Sequence, residues 1–176
     1  VYIAIKADSP GRVLFMQQRL AQGGGNFNLY KYRSMYTHAD RILDEHLKHS
    51  QQARLEWETY KKLKIDPRVT RVGLFIRKWS IDELPQLFNV IKGDMSLVGP
   101  RPYLPREVED MYGHQELILK ARPGITGLWQ VSGRSSLTFD DRLRLDTFYV
   151  RNWSLWLDLS VLFKTFSAIF TRGGAY

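Results

Sequence analysis

Two adjacent carboxylates, Asp82 and Glu83, are the residues of this sequence whose types and spacing best suit chemistry. They stand at the start of a segment whose apolar residues follow helical spacing and form one stripe, namely Leu84, Leu87, Phe88 and Ile91. A carboxylate that stays ionised can attack phosphorus, and a neighbouring carboxylate can hold a divalent metal ion. The alternative interpretation is that the pair only caps a helix.

The start of this helix can be read in two registers. Ser80 followed three residues later by Glu83 is typical of a capping box, whereas Pro85 favours a later start with Asp82 at or near the cap. Gly93 is typical of a helix end. Both registers place the carboxylates at the positive end of the helix dipole, which lowers carboxylate pKa values and attracts phosphate. We therefore expect an ionised pair beside a bound anion.

Basic residues that can neutralise phosphate occur in three other segments. Lys31 and Arg33 alternate with other residues in a strand-like segment, 26–35, and are predicted to project from one face. Arg101 stands between two prolines, in a rigid loop that can present its planar guanidinium to a phosphate. Arg134 ends a glycine-rich segment that permits close backbone approach to an anion. The alternatives are a charge-protected edge strand, a solvent-facing arginine and a structural loop.

Composition restricts the function classes. The 176 residues are 44% hydrophobic, as in globular proteins, and the formal net charge of +8 indicates a phosphorylated, lipid-headgroup or nucleic-acid partner. The absence of cysteine excludes a disulfide framework and a thiolate zinc site. No apolar run is long enough to span a bilayer. Residues 1–6 resemble the end of an apolar segment, so we interpret the sequence as an excerpt of a longer protein.

The elements that must position these residues are a hairpin and several helices. A glycine run joins two strand-like segments, 13–20 and 26–35, and one or two charge-rich helices or a mobile excursion are expected over 37–63. Further helices are predicted over 107–120, 138–150 and 154–171. The apolar arc of the last helix suits either packing in the core or an interfacial position among lipid headgroups. The predicted fold class is α+β, a mostly helical single domain with a small antiparallel β-hairpin.

Six motifs occur in the order seen in one bacterial family. They are Ser9-Pro10-Gly11, Tyr30-Lys31-Tyr32-Arg33-Ser34-Met35, Asp82-Glu83-Leu84-Pro85-Gln86, Gly93-Asp94-Met95-Ser96, Gly99-Pro100-Arg101-Pro102 and Arg122-Pro123-Gly124-Ile125-Thr126-Gly127. The sequence thereby resembles the bacterial sugar transferases, monotopic phosphoglycosyl transferases that begin lipid-linked glycan assembly, and among them the undecaprenyl-phosphate galactose phosphotransferases. The resemblance implies one catalytic domain over residues 1–176, without the family's N-terminal re-entrant membrane helix except for its end. It also implies the cytoplasmic face of the bacterial inner membrane, where the excerpt alone would be soluble or peripheral.

By this resemblance, the expected reaction transfers a hexose 1-phosphate from a UDP-sugar to undecaprenyl phosphate and releases UMP. Asp82 would be the nucleophile, forming a covalent phosphosugar-aspartyl intermediate, and Glu83 would hold Mg²⁺. Lys31 and Arg134 match phosphate-contacting positions of the family, and Arg101 is expected to contribute to nucleotide or acceptor recognition. The full set of predicted phosphate-binding residues is Lys31, Arg33, Arg101 and Arg134.

Two other functions stay open at this point. A basic nucleic-acid-binding module would explain the charge but not the carboxylate pair, and no recognised nucleic-acid motif is present, so no nucleic-acid partner is expected. A metal-dependent phosphohydrolase would use the same residue types, with water in place of the polyprenol acceptor. No motif separates galactose from glucose as the sugar, and a homo-oligomer is compatible with the sequence.

Overall fold

Helices dominate the chain. A computed structural model describes residues 1–60, 62–133 and 137–171, except for the side chains of 169–171. The helices in this part of the chain are α1 (Tyr2–Asp8), α2 (Ala39–His49), α3 (Gln51–Tyr60), α4 (Arg71–Lys78), α5 (Gln86–Lys92), α6 (Gln115–Ile118), α7 (Leu128–Ser132), α8 (Phe139–Arg151) and α9 (Leu155–Thr171). The strands are β1 (Leu14–Leu20), β2 (Asn26–Tyr32), β3 (Ser96–Val98) and β4 (Gly124–Thr126). The predicted fold class is confirmed.

Strands β1 and β2 form the predicted antiparallel hairpin, in a register that sets Phe15 opposite Lys31. Gly23, in the connecting turn, has a φ of 82°, a left-handed conformation that glycine adopts without steric cost. The second strand ends three residues before residue 35, so the predicted strand is too long at that end. The hairpin carries Arg19 on one strand and Lys31 on the other, and both belong to the site described below.

A short parallel pair, β3 with β4, was not predicted, because three-residue strands are too short to show a periodic pattern. Ser96 pairs with Gly124, and Val98 pairs with Thr126. The two backbones approach so closely that a Cβ on Gly124 would lie 2.1 Å from the amide nitrogen of Gly99. The pair therefore sets the proline-flanked loop after β3 against the glycine-rich segment that leads into α7.

Two of the apolar clusters fix the elements around the site. In one, Tyr103 packs with Leu143 and Phe139 of α8, and the Tyr103 and Phe139 rings meet edge-on with centroids 6.0 Å apart. In the other, Ile5 of α1 packs with Ile76 of α4. The first cluster joins α8 to the loop that follows β3, and the second orients α4.

The charge-rich segment 37–63 forms two helices, within the range that the sequence predicted. Helices α2 and α3 pack on each other through Leu43 and Ala53, and Leu63 completes this cluster. They form a unit of their own beside the rest of the chain, with no predicted site residue on them.

Helix α9 has one face in the core, as one of the two sequence alternatives predicts, and the interfacial position stays a prediction. Val161 is buried and packs with Val98 and Tyr149, so one face belongs to the core. The other face exposes large apolar side chains, namely Leu155, Trp156, Phe163 and Phe166. The side chains of Ile169 and Phe170, which continue the arc, lie outside the described residues.

The helix expected to carry the carboxylates is broken. Asp82 and Glu83 lie in a separate 3-10 turn, Ile81–Glu83, and α5 begins only after Pro85. Ser80 has a left-handed φ of 54°, and its side chain makes no capping hydrogen bond, so both predicted starts are wrong. Pro85 is the N-cap of α5, a position at which its missing amide hydrogen removes no helical hydrogen bond.

Helix α5 turns its polar residues inward and its apolar residues outward. Asn89 and Gln86 are buried, whereas the apolar stripe is between 44% and 81% exposed. The Asn89 side-chain nitrogen Nδ2 donates to the Asn28 carbonyl, and its side-chain oxygen Oδ1 accepts from the Tyr30 backbone amide. One side chain thus supplies the partner that the outer edge of β2 lacks. The helix ends at Gly93, with a φ of 83°, as predicted.

Candidate active site

Asp82 and Glu83 occupy the turn between α4 and α5 and differ in exposure. Asp82 is only 8% exposed, whereas about a third of the Glu83 side chain is accessible. Glu83 Oε1 accepts a 2.7 Å hydrogen bond from Lys31 Nζ of β2, within an ion pair. The positive charge of Lys31 also acts on Asp82. The structure therefore brings these three predicted site residues together.

The electrostatics of Asp82 differ from the prediction. Burial raises its pKa to about 6; Lys31 and Arg77 oppose this shift, and the Glu83 carboxylate adds to it. The expected lowering of the pKa by a helix dipole is wrong, because Asp82 lies in the separate 3-10 turn and desolvation dominates. A carboxylate with this pKa is ionised at neutral pH and more basic than a solvated aspartate. Both properties favour nucleophilic attack.

Arg33 serves the scaffold. Its guanidinium is buried and donates hydrogen bonds to the carbonyls of Ser9 and Pro10, the former at 2.7 Å. Its backbone amide donates to the Val13 carbonyl, one hydrogen bond beyond the last paired residues of the hairpin, Leu14 and Tyr32. These contacts fix the turn between α1 and β1. We therefore leave Arg33 out of the proposed phosphate-binding set.

Arg101 lies in the loop after β3 with its guanidinium between two aromatic rings. Its Cζ is 5.7 Å from the Tyr103 ring centroid and 5.9 Å from that of Trp129. Its Nη2 pairs with Glu107 Oε1 at 3.4 Å, and the other oxygen of Glu107 accepts from the Leu104 amide. Stacking and this ion pair fix the guanidinium plane. Among the described residues, they leave most of its N–H donors for an external anion.

Arg19 of β1 connects the Arg101 loop with the carboxylate turn and was not found from the sequence. Its Nη1 donates to the Pro102 carbonyl at 2.9 Å, and its Nη2 donates to Gln17 Oε1 at 2.6 Å. Burial, together with the charge of Arg101, lowers the pKa of Arg19 to about 10, and the charge of Glu83 opposes this shift. Charges from the Arg101 loop and from the carboxylate turn therefore both act on Arg19. The sequence signal was its place on the strand paired with that of Lys31.

The carboxylate pair fits a magnesium ion that substrate helps to hold. In the described part of the chain, no group of three or more His, Cys, Asp or Glu side chains could bind a metal ion. Mg²⁺ commonly uses one or two protein carboxylates together with substrate phosphates. Glu83, with its accessible oxygens next to Asp82, suits that donor set. Arg134, the other predicted phosphate ligand, lies outside the described residues.

The helices that flank the carboxylate turn, and the residues that join them to it, expose several large apolar side chains. We call this surface the outer face of α4–α5, and it consists of Leu74, Phe75, Trp79, Leu84, Leu87, Phe88 and Ile91. Exposed basic residues on the same two helices are Arg71, Lys78 and Lys92. None of the helices among the described residues has the length and hydrophobicity needed to cross a bilayer. An apolar surface of this kind marks an interaction site.

The arrangement suits phosphoryl transfer. Asp82 provides a basic, ionised oxygen, and Glu83 and Lys31 provide a second carboxylate and a cation beside it. Arg101 adds a fixed guanidinium, and Arg19 adds a second positive charge between the two. Phosphoryl transfer depends mainly on positioning and on the neutralisation of phosphate charge, which these groups supply.

Comparison with known proteins places the chain among related sequences. A family model described as bacterial sugar transferase matches residues 1–172. The chain is 51% identical over 166 residues to the undecaprenyl-phosphate galactose phosphotransferase of Salmonella typhimurium, covering 94% of this chain and 35% of that protein. It is 45% identical over 172 residues to the exopolysaccharide production protein ExoY of Sinorhizobium fredii, covering 98% of this chain and 76% of the relative.

A third relative transfers a different sugar by its name. The undecaprenyl-phosphate glucose phosphotransferase of Komagataeibacter xylinus is 43% identical over 187 residues, covering 98% of this chain and 32% of that protein. The chain thus spans about a third of the length of the Salmonella and Komagataeibacter relatives and about three quarters of the Sinorhizobium one.

Proposed function

The chain belongs to the bacterial sugar transferase family, and we propose that it transfers a hexose 1-phosphate from a UDP-sugar to undecaprenyl phosphate. The observation that carries this proposal is the buried Asp82, with its raised pKa, beside the Lys31–Glu83 ion pair. The relatives named as undecaprenyl-phosphate galactose and glucose phosphotransferases support the acceptor and the reaction class.

In the first step of the proposed mechanism, a carboxylate oxygen of Asp82 attacks the β-phosphorus of the UDP-sugar. The bond from this phosphorus to the bridging oxygen breaks, and that oxygen leaves with UMP. The product is an acyl phosphate that joins Asp82 to the hexose phosphate. Partial burial supports this role, because it makes the carboxylate more basic and shields the acyl phosphate from water.

In the second step, a phosphate oxygen of undecaprenyl phosphate attacks the same phosphorus. The bond to Asp82 breaks, the carboxylate is regenerated, and the product is a lipid-linked hexose diphosphate. The soluble donor and the lipid acceptor therefore react at the same Asp82 carboxylate, one after the other. This separation suits a site that must accept substrates from water and from a membrane.

Glu83 would hold Mg²⁺ together with the donor diphosphate, and the ion would supply charge neutralisation for the departing UMP. Lys31 neutralises Glu83 before substrate arrives, because their charged groups lie 2.7 Å apart. When the diphosphate enters, the Lys31 ammonium can turn from Glu83 to a phosphate oxygen. Arg101 offers a second, pre-oriented set of N–H donors to the same anion.

The outer face of α4–α5 would rest on the membrane that holds the acceptor. Its apolar side chains flank the carboxylate turn, and its exposed basic residues suit anionic headgroups. The expected location is the cytoplasmic face of the bacterial inner membrane. Compared with the last helix, this face has the stronger claim, because it adjoins the nucleophile. Relatives are named for galactose and for glucose, so the proposed donor is a UDP-hexose as a class.

Trapping the intermediate tests the proposal. The full-length protein is incubated with Mg²⁺ and a UDP-hexose labelled in the β-phosphate, without acceptor. We expect about one equivalent of UMP and protein-bound label that hydroxylamine removes, as it does from acyl phosphates. Undecaprenyl phosphate should then discharge the label into a lipid product.

Two variants give the controls. Asp82→Asn should yield no labelled protein, whereas Glu83→Gln should yield it slowly and with a higher Mg²⁺ requirement. Labelled Asp82→Asn protein would remove Asp82 from the nucleophile role. Steady release of free hexose phosphate without acceptor would instead support the phosphohydrolase alternative.

A further inference from the structure

A buried carboxylate that the proposed mechanism does not use lies beneath the Arg101 loop. Asp146, on α8, is fully buried. Its Oδ2 accepts the Arg101 amide at 2.9 Å and the Tyr103 hydroxyl at 2.8 Å, across 45 and 43 residues of sequence. Burying a carboxylate has a high desolvation cost, so a site that retains one needs a compensating role.

The same loop is held from the opposite side by the hairpin. Arg19 of β1 donates to the Pro102 carbonyl, and the Leu20 amide donates to the Tyr103 carbonyl at 2.9 Å. The Arg101 backbone, between two residues whose φ is restricted by proline rings, is thus bound on both sides. Asp146 supplies the contacts on one side of this clamp.

Asp146 interacts with Arg101 through charge as well as through the hydrogen bond to the Arg101 backbone amide. The Trp129 ring that lies against the Arg101 guanidinium also contacts the Arg142 guanidinium, whose Cζ lies 5.4 Å from the ring centroid. Burial raises the pKa of Asp146 to about 7, and its hydrogen bonds and the charges of Arg101 and Arg142 act against that shift. Asp146 therefore acts on both arginines, as Glu107 does, and it also binds the Arg101 backbone amide.

We propose that Asp146 is a positioning residue for the transfer reaction: it holds Arg101 in the orientation that meets the donor diphosphate. This inference rests on the proposed function, because it assigns Arg101 to that substrate. Asp146 itself is buried and touches no substrate. Tyr103 shares the role through its hydroxyl, which occupies the same carboxylate oxygen.

A double-mutant cycle on the full-length protein tests the proposal. Asp146→Asn keeps an oxygen acceptor but removes the charge, and Tyr103→Phe removes one hydrogen bond while keeping the ring. We expect Asp146→Asn to raise KM for the UDP-hexose about tenfold and to change kcat less than threefold. Tyr103→Phe should give a smaller increase in KM, of about threefold.

The cycle separates positioning from mere stability. In an Arg101→Ala background, Asp146→Asn should change KM less than twofold, because its effect passes through Arg101. Equal effects in both backgrounds would overturn the proposal, and so would an unchanged KM in folded Asp146→Asn protein. If Asp146→Asn protein does not fold, as thermal unfolding would show, Tyr103→Phe carries the same cycle.

Asp158→Asn is the matched control. Asp158 likewise accepts from a tyrosine hydroxyl, that of Tyr149, and from the Trp153 indole, but it lies in α9 and serves a different loop. Its replacement should leave KM unchanged. Failure of the proposed function gives a distinct result, because wild-type protein would then transfer no hexose phosphate from any UDP-hexose. Normal wild-type transfer with wild-type KM in the Asp146 variant overturns only the positioning role.

Discussion

The two halves of the proposed site are held in different ways. The carboxylates lie in a short 3-10 turn after the left-handed Ser80, with Glu83 in an ion pair to the partly exposed Lys31. The Arg101 loop has hydrogen bonds on both sides, from Arg19 and to Asp146, and its guanidinium is stacked between rings. The cationic half is thus fixed by contacts that substrate need not disturb.

The difference follows from what each half must do. In the proposed reaction, Arg101 would bind an anion without itself changing, so rigidity would favour it by lowering the entropy cost of binding. In the same reaction, Asp82 would gain and lose a bond to phosphorus, and Lys31 would exchange a carboxylate for a phosphate. A partly exposed ion pair contributes about 0–1 kcal/mol, and so it can be exchanged at low cost. Four experiments test this contrast.

The largest effect is expected for Asp82→Asn, which should lower hexose-phosphate transfer at least ~10³-fold, because an amide is a poor nucleophile. The measurement is the initial rate of lipid product formation with a UDP-hexose and Mg²⁺. Thermal unfolding of the same variant should show no loss of stability, since only the charge of a poorly solvated group is removed. Transfer within tenfold of wild type would contradict the assignment.

Arg101→Lys should lower kcat/KM about 10²-fold, because an ammonium cannot replace a planar guanidinium stacked between two rings. Arg144→Lys is the control, since Arg144 is an exposed arginine on α8. It should retain wild-type kinetics. If lysine substitutes fully at position 101, the rigid presentation of the guanidinium has no function, and the contrast between the two halves fails.

Lys31→Gln should lower kcat/KM about tenfold and change the free energy of unfolding by less than about 1 kcal/mol, because both partners of its ion pair are partly exposed. Releasing Glu83 should also lower the Mg²⁺ concentration that gives the half-maximal rate. Lys48→Gln is the comparison, because Lys48 is an exposed lysine of α2, which carries no predicted site residue, and it should keep wild-type kinetics. A loss of stability as large as the loss of activity would assign Lys31 to the scaffold.

The last effect concerns the pH dependence of stability. Burial raises the pKa of Asp82 to about 6, from an ordinary value of 3.8. This carboxylate therefore stabilises the fold in its protonated form, and that contribution is lost as pH rises through about 6. Relative to wild type, Asp82→Asn should gain up to about 3 kcal/mol between pH 4 and pH 7. Denaturant unfolding at both pH values measures it, and an unchanged difference would contradict the desolvation of Asp82.

The sequence predicted the elements that depend on local signals. The glycine turn of the hairpin, the end of α5 at Gly93 and the helix over 138–150 follow from residue types at short spacing, and all are present. The latter helix begins with a capping box between Thr138 and Asp141. The carboxylate pair and Lys31 were also identified from sequence, and the structure places their charged groups side by side.

The remaining features depend on contacts between distant residues. Asp146 is an ordinary polar residue in the middle of a helix until Arg101, 45 residues away, reaches it. Alternation along β2 assigned Lys31 and Arg33 the same role, but the chain leaves the pairing after Tyr32, and Arg33 turns to the Ser9 carbonyl. The start of α5 was misjudged because proline is common in first turns, and here the helix begins after it.

The orientation of α5, with its polar residues inward and its apolar residues outward, has a kinetic consequence. Asn89 binds the helix to the hairpin on its buried side, while the outer face of α4–α5 is exposed on the other side. With that face in a bilayer, as proposed, the nucleophile stands at a constant height, within roughly one helix diameter of ~10 Å from the acyl chains. The lipid acceptor then arrives by two-dimensional diffusion without being lifted out of its leaflet. Turnover would accordingly follow its mole fraction in the membrane, so adding inert lipid should slow the reaction even at constant total amounts.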